Sequence, residues 1–209
     1  MSPNPEADRH NFGKIGAMKS DSERWDDRYR QASPPTVLTP HAVVVEAAEA
    51  MIAGNNAVDI ACGWGDSGLW LASQGAVVTC LDVSAIALEH VDRRAAEMDV
   101  PVTTRQYDTA RSGAPVGPWD FIACVHYLDR DMLATLWSEV GPGGTVAIAI
   151  ATTTNLERHD RPSARFLLEP GELADLVIGS ADDAIPVQSD ETWRNNGVHE
   201  AWLIARRKP

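Results

Sequence analysis

Between Ala57 and Gly68 the chain reads AVDIACGWGDSG, a β-branched run that breaks into glycines at Gly63, Gly65 and Gly68. The pattern predicts a buried strand, a tight turn and the first turn of a helix. Glycine suits such a turn because backbone without a Cβ reaches left-handed angles and lets a ligand approach closely. Helix-start N–H groups are then aimed at that ligand. The stretch reads as a cofactor cradle.

Two cofactors compete for it. Gly63-x-Gly65-x-x-Gly68, with Asp82 at the offset of a ribose-binding acid, is also the literal dinucleotide fingerprint. Local charge separates the two. Asp59 stands on the strand before the turn and Asp66 at the start of the helix, where a pyrophosphate would rest, and carboxylates there repel a diphosphate. S-adenosylmethionine (SAM) carries an ammonium and a sulfonium and no phosphate, so it fits. An NAD(P)-dependent oxidoreductase is the alternative, a non-catalytic SAM-binding module a third reading, and a ligand-free glycine-rich connection the plainest.

Other candidates follow at the ends of later strands. Asp82 closes the run VVTCLD, where a carboxylate accepts from two vicinal ribose hydroxyls or else caps the next helix, a task already open to Ser84. Asp108, after VTTRQ, is placed for an adenine amine or for a turn. His126 and Tyr127 follow the apolar run WDFIACV, and ligands of open parallel sheets lie outside the carboxyl ends of strands. His126 is therefore the first candidate for a general base, with Tyr127 and Tyr29 as positioning groups. Cys62, Cys80 and Cys124 show no metal-ligand spacing and read as reduced core residues, with a catalytic thiol at Cys62 or Cys124 the lesser option. No metal is expected.

The elements that must position these groups alternate. A helix from Ser22, SERWDDRYRQ, places Trp25 and Tyr29 four apart on one face, as core packing or as a lid. Thr39-Pro40 starts a helix through about Ala53, where His41, near its start, either faces a pocket or, as first-turn histidines more often do, stands exposed. Strands and helices then alternate from Val58 to Ala151, including a helix from Asp129 to Val140 ended by GPGG. The polar stretch 152–168 is a long loop suited to covering substrate, and its Arg158, His159, Arg161 and Arg165 offer local positive charge to an anionic acceptor. A helix over Glu172 to Ile178 precedes two strands joined near Asn195, Asn196 and Gly197. Residues 1–20 read as a flexible tail and 21–209 as a single domain, with 21–55 a helical cap.

With 209 residues the chain can bury a sizeable core, and its net charge of −12, without a basic cluster, disfavours a nucleic-acid partner. There is no membrane-length apolar run, and MSPNPEADRH has no signal-peptide core, so the expected location is cytoplasmic.

Taken together, VDIACGWGDSGLWLA, VTCLDVSAIAL, WDFIACVHYLDRDML, GPGGTV, FLLEPGEL and the terminal hairpin resemble a class I SAM-dependent methyltransferase. The chain is most similar to the tellurite-resistance-type branch, whose N-terminal helix WDDRY echoes. The resemblance implies an α/β, Rossmann-like doubly wound, mostly parallel seven-stranded sheet with an antiparallel C-terminal hairpin. It implies SAM contacts at Asp59, Ala61, Gly63, Gly65, Asp82 and Val83, adenine contacts at Asp108 and Thr109, and a methionyl end near Cys124 and Val125. The implied acceptor is a small molecule: a thiol, a chalcogen oxyanion or another small nucleophile. The implied assembly is a monomer or homodimer. Two departures stand out. Ala61 replaces the family's first glycine, and Asp66-Ser67 replaces Arg-Asn, which puts an acid where relatives carry a cation and argues against tellurite.

Overall fold

In the computed structural model, which describes residues 19–51 and 54–209, seven strands form one sheet. They are β1 (Asn56–Ile60), β2 (Val77–Asp82), β3 (Val102–Gln106), β4 (Trp119–Val125), β5 (Val140–Ala151), β6 (Ala184–Trp193) and β7 (His199–Arg207), in the order β3-β2-β1-β4-β5-β7-β6. β1 to β5 pair in parallel, while β7 runs antiparallel to both β5 and β6. This is the doubly wound sheet with a C-terminal hairpin that the sequence implied. Strand order reverses between β1 and β4, which opens a crevice at their carboxyl ends.

Successive strand residues face opposite sides, and here both sides are covered. Val58, Ile60, Ile122, Ile148 and Leu203 pack with α6 (Arg130–Leu136) and α7 (Glu172–Val177). Ala57, Val78, Cys80 and Phe121 meet α2 (Ala42–Ala47), α3 (Asp66–Ser73) and α4 (Ala85–Met98). Gly68 is the point where α3 touches the sheet. A Cβ there would stand 2.4 Å from Cys80 Sγ and 3.0 Å from Asp59 Oδ2. Gly68→Ala is expected to cost about 1–3 kcal/mol through overpacking, read as a lower urea midpoint. An unchanged midpoint would mean that α3 shifts freely.

Several local expectations are corrected. The first helix, α1 (Asp21–Gln31), is capped by Ser20 and not Ser22: Ser20 Oγ accepts the Glu23 N–H at 3.2 Å, and the Glu23 carboxylate accepts the Ser20 N–H at 2.8 Å. Ser20, the last residue of the expected tail, is thus the N-cap of α1, and residues 1–18 lie outside the described residues. The helix expected from Thr39 begins at Ala42 with His41 as N-cap, and tightens into a 3₁₀ turn over Ala48–Ala50; Ile52 and Ala53 lie outside the described residues. GPGG does not end a helix but lies within β5. Its register jumps between the Trp119–Val140 and Phe121–Thr145 pairs, so the extra residues bulge from the ladder. Residues after Asp108, read as a loop, open with the one-turn α5 (Thr109–Ser112). Among the described residues no helix is long and apolar enough to cross a membrane.

Candidate active site

A cavity of about 980 Å³ lies outside the carboxyl ends of the parallel strands, with α1 and the β6–β7 turn on its rim. β1 leads into it through Ala61 and Gly63, both at φ +53°, while Gly65, at φ +77°, does not itself border the cavity. The Gly65 N–H closes a turn onto the Cys62 carbonyl at 2.8 Å, and Gly65 is the left-handed N-cap of α3. A Cβ on it would also meet Val91 Cγ2 at 2.6 Å, so glycine is required twice over. Ala61 holds its left-handed angle with a Cβ, a strain of about 1–2 kcal/mol that glycine would avoid.

Asp82 ties this loop to β2. Its Oδ2 accepts the Gly63 N–H at 2.9 Å and its Oδ1 the Ser84 N–H at 2.8 Å. A carboxylate accepts roughly four hydrogen bonds, so each oxygen keeps a lone pair for the cavity it borders. Burial raises its pKa against the opposing pull of those bonds. Ser84 is the cap of α4, its Oγ accepting the Ala87 N–H at 3.2 Å and donating to Asp26 of α1 at 2.6 Å. Asp26 thereby fastens α1 to the start of α4, so Trp25 and Tyr29 stand at the cavity. Tyr29 meets Trp64 edge-on with centroids 4.5 Å apart, and its hydroxyl would lie 2.8 Å from a Cβ at Gly63. This puts Tyr29 over the glycine loop.

The charge argument made from the sequence is weaker than formal charges suggest. Asp66 is paired with Arg94 at 2.8 Å. Asp59, 2% exposed, accepts the Gly68 N–H at 2.8 Å, and burial raises its carboxyl to about 7 despite that bond. Neither acid presents a full free charge to the turn. Val83, Asp108, Thr109 and Val125 border the cavity. Cys124 does not: it is fully buried, its thiol donates to the Tyr127 carbonyl at 3.7 Å, and burial pushes its pKa up. The Cys62 thiol is likewise held well above its ordinary value, by its bond with Cys80 and by burial. Neither cysteine is a thiolate nucleophile.

Tyr127 is committed to structure. The Thr109 hydroxyl donates to Asp129 Oδ2 at 2.8 Å, so the Tyr127 O–H must donate to Thr109 Oγ1 at 2.5 Å. Burial pushes Tyr127 up to about 12. His126 sits just past β4 at φ +57°, its N–H bonded to the Ala149 carbonyl at 2.7 Å. Its Nε2 lies 2.7 Å from Glu200 Oε1, and Glu200 is completely buried on β7. Glu200 Oε2 takes Trp202 Nε1–H at 2.9 Å and faces His41 Nε2 at 3.3 Å. Burial alone would raise the Glu200 carboxyl, but hydrogen bonds from His126, His41 and Trp202 outweigh it and hold the group well below the usual carboxylate range.

His41 is thus corrected from an exposed first-turn residue to a cavity residue 14% exposed at its side chain. His41, His126 and Glu200 place three donor atoms within 4.8 Å of one another, a set of metal-ligand type where none was expected. Their hydrogen bonds give them another role. His41 Nδ1 accepts the Val43 N–H at 3.3 Å, which leaves the proton of the neutral ring on Nε2, pointing at Glu200. His126 Nε2 likewise donates to Glu200, which frees its Nδ1 as a lone pair on a half-exposed ring.

The loop 152–168 does not border the cavity, contrary to expectation; residues 192–196 of the terminal hairpin do. Arg158 stacks on Trp193 at 3.8 Å and His159 Nε2 bonds the Gly197 carbonyl at 2.8 Å, so both brace that hairpin from outside. Arg165 lies over Phe166. Glu200, Trp202 and Arg194 are cavity residues the sequence reading missed. The signal for Glu200 was an acid inside the apolar strand HEAWLIA, which only a dedicated set of partners makes tolerable.

This fold puts a glycine cradle at its switch point, the place where open α/β sheets bind nucleoside cofactors. Residues 57–144 match the methyltransferase domain family. It is 30% identical over 149 residues to the ubiquinone biosynthesis O-methyltransferase of Burkholderia orbicola strain MC0-3, covering 67% of this chain and 62% of that protein. The chain therefore spans less than two thirds of that relative's length. Among solved structures it resembles TehB from Haemophilus influenzae (TM-score 0.68, 21% identity, 88% of this chain and 67% of that one). It also resembles the magnesium protoporphyrin IX methyltransferase ChlM of Synechocystis PCC 6803 with bound S-adenosylhomocysteine (SAH), at TM-score 0.62 and 18% identity, covering 79% and 80% of the two chains. SAM is the cofactor of the family.

Proposed function

We propose that this chain transfers a methyl group from SAM to a small-molecule acceptor that enters the cavity protonated, as a hydroxyl or thiol. The observation that carries the reading is the free Nδ1 of His126, backed by Glu200, in the same cavity as the glycine loop. The acceptor's lone pair attacks the methyl carbon in line with the sulfonium. The new O–C or S–C bond forms as the old S–C bond breaks, SAH leaves, and His126 Nδ1 takes the acceptor proton. Glu200 holds the imidazolium that results. A chalcogen oxyanion is already deprotonated and has no need of this pair, and the O-methyltransferase name of the relatives favours a hydroxyl.

On this reading Ala61, Gly63 and Gly65 offer backbone to the cofactor, Asp82 and Val83 meet the ribose, Asp108 and Thr109 the adenine, and Val125 the methionyl end. Tyr29 closes over the cofactor. Residues 21–209 act as one domain with 21–55 as cap. The protein works in the cytoplasm as a monomer or homodimer, with no nucleic-acid or membrane partner. The test uses labelled SAM and a panel of phenols and thiols. With any accepted substrate, His126→Ala and Glu200→Gln are expected to lower turnover by about 10²-fold or more while SAH affinity stays unchanged. Full turnover in both variants would remove His126 as base.

A further inference from the structure

The structure assigns His41 a part in the methyl transfer as a positioning residue: it holds Glu200 in the orientation that keeps His126 ready as the base. This rests on the methyl-transfer reading and adds to it a residue that acts only through Glu200.

Two histidines face one buried carboxylate, yet they are not equivalent. His126 Nε2 lies 2.7 Å from Glu200 Oε1, and its Nδ1 is free on a half-exposed ring. His41 Nε2 lies 3.3 Å from Glu200 Oε2, and its Nδ1 already accepts the Val43 N–H at 3.3 Å. Both nitrogens of His41 are therefore engaged, which leaves no lone pair for an acceptor's proton. What remains to it is its hold on Glu200. The last torsion of a glutamate is soft, so a carboxylate held at one oxygen alone can turn away from its partner. His41 and the Trp202 Nε1–H, at 2.9 Å, both hold Oε2, which leaves Oε1 to His126.

The His41 ring is itself fixed on several sides. It is the N-cap of α2, whose Val43 and Val44 are fully buried. It meets the His126 ring edge-on, with centroids 5.2 Å apart and planes at 87°, and the Trp202 ring at 5.2 Å and 68°. Asparagine, aspartate and serine are the usual N-caps, and for capping alone a shorter side chain serves better. The longer imidazole caps with one nitrogen and reaches the buried acid with the other. Through this one ring the start of α2 is tied to the acid on β7, and through that acid to the base after β4.

The test separates the two nitrogens. His41→Asn keeps an acceptor for the Val43 N–H, but its amide falls short of Glu200. His41→Gln puts an amide N–H where Nε2 stands and gives up the cap. With labelled SAM and any accepted phenol or thiol, His41→Asn is expected to lose about 10-fold or more in kcat while SAH affinity stays unchanged. His41→Gln should recover most of that loss, although its urea midpoint is the lower of the two. Asparagine turning over as well as glutamine, or better, would reduce His41 to a helix cap and overturn the positioning role. A second readout needs no acceptor. In the full chain saturated with SAH, the His126 Nε2 proton held by Glu200 is expected as a slowly exchanging imidazole resonance in the proton NMR spectrum. It should persist in His41→Gln and broaden into water exchange in His41→Asn. An unbroadened resonance in His41→Asn defeats the positioning role alone. Its absence from the unaltered chain defeats the His126 base and the positioning role with it, whereas failure to bind SAH defeats the methyl-transfer reading itself.

Discussion

Replacing Asp82 with alanine is expected to weaken SAH binding by about 10- to 100-fold and to lower stability by about 2–4 kcal/mol. Two losses coincide. The Gly63 and Ser84 N–H groups lose their only carboxylate, so the glycine loop and the start of α4 come loose together. On the proposed reading the ribose hydroxyls lose their acceptor at the same time. Calorimetric titration with SAH and a urea melt read the two effects separately, and Asp82→Asn, which keeps one acceptor oxygen, should fall between. Unchanged affinity in Asp82→Ala would remove Asp82 from the cofactor site and leave it a loop tie.

Asp59→Asn should make the protein more stable, and increasingly so as pH rises. Burial lifts the Asp59 carboxyl to about 7 from an ordinary 3.8, so between these values the folded chain keeps a proton that the unfolded chain releases. Raising the pH through that window therefore costs stability, with a ceiling on the order of 4 kcal/mol reached above pH 7. Asparagine has no charge to bury, and its amide oxygen can take over the Gly68 N–H. Chemical melts should show a small difference between variant and parent near pH 4–5, and a gain of about 2–4 kcal/mol for the variant at pH 8. A difference that does not change with pH would mean that Asp59 titrates in the fold as it does in solution.

The centre of the sheet was legible because β1, β2, β4 and β5 are short apolar runs alternating with helices, and the glycine spacing located the cradle. What sequence could not supply was the use of side chains across long separations. Asp66 looked like a free acid because Arg94, its partner, sits a full helix away. His41 looked exposed because nothing near it announces Glu200, which reaches it from the other end of the chain. The resemblance put Cys124 near the methionyl end, yet strand alternation turns its side chain into the core while Val125 borders the cavity. GPGG misled because glycine and proline end helices more often than they bulge a strand. The choice of SAM over a dinucleotide stands on the family match, while half of the electrostatic argument first made for it is cancelled by Arg94.

The most direct measurement is calorimetric titration of the chain with SAM, SAH and NADH side by side. The account predicts saturable binding of SAM and SAH at one site per chain, weakened in Asp82→Ala, and no heat from NADH. Saturable NADH binding without SAM binding would contradict it, and would assign the glycine turn to a dinucleotide.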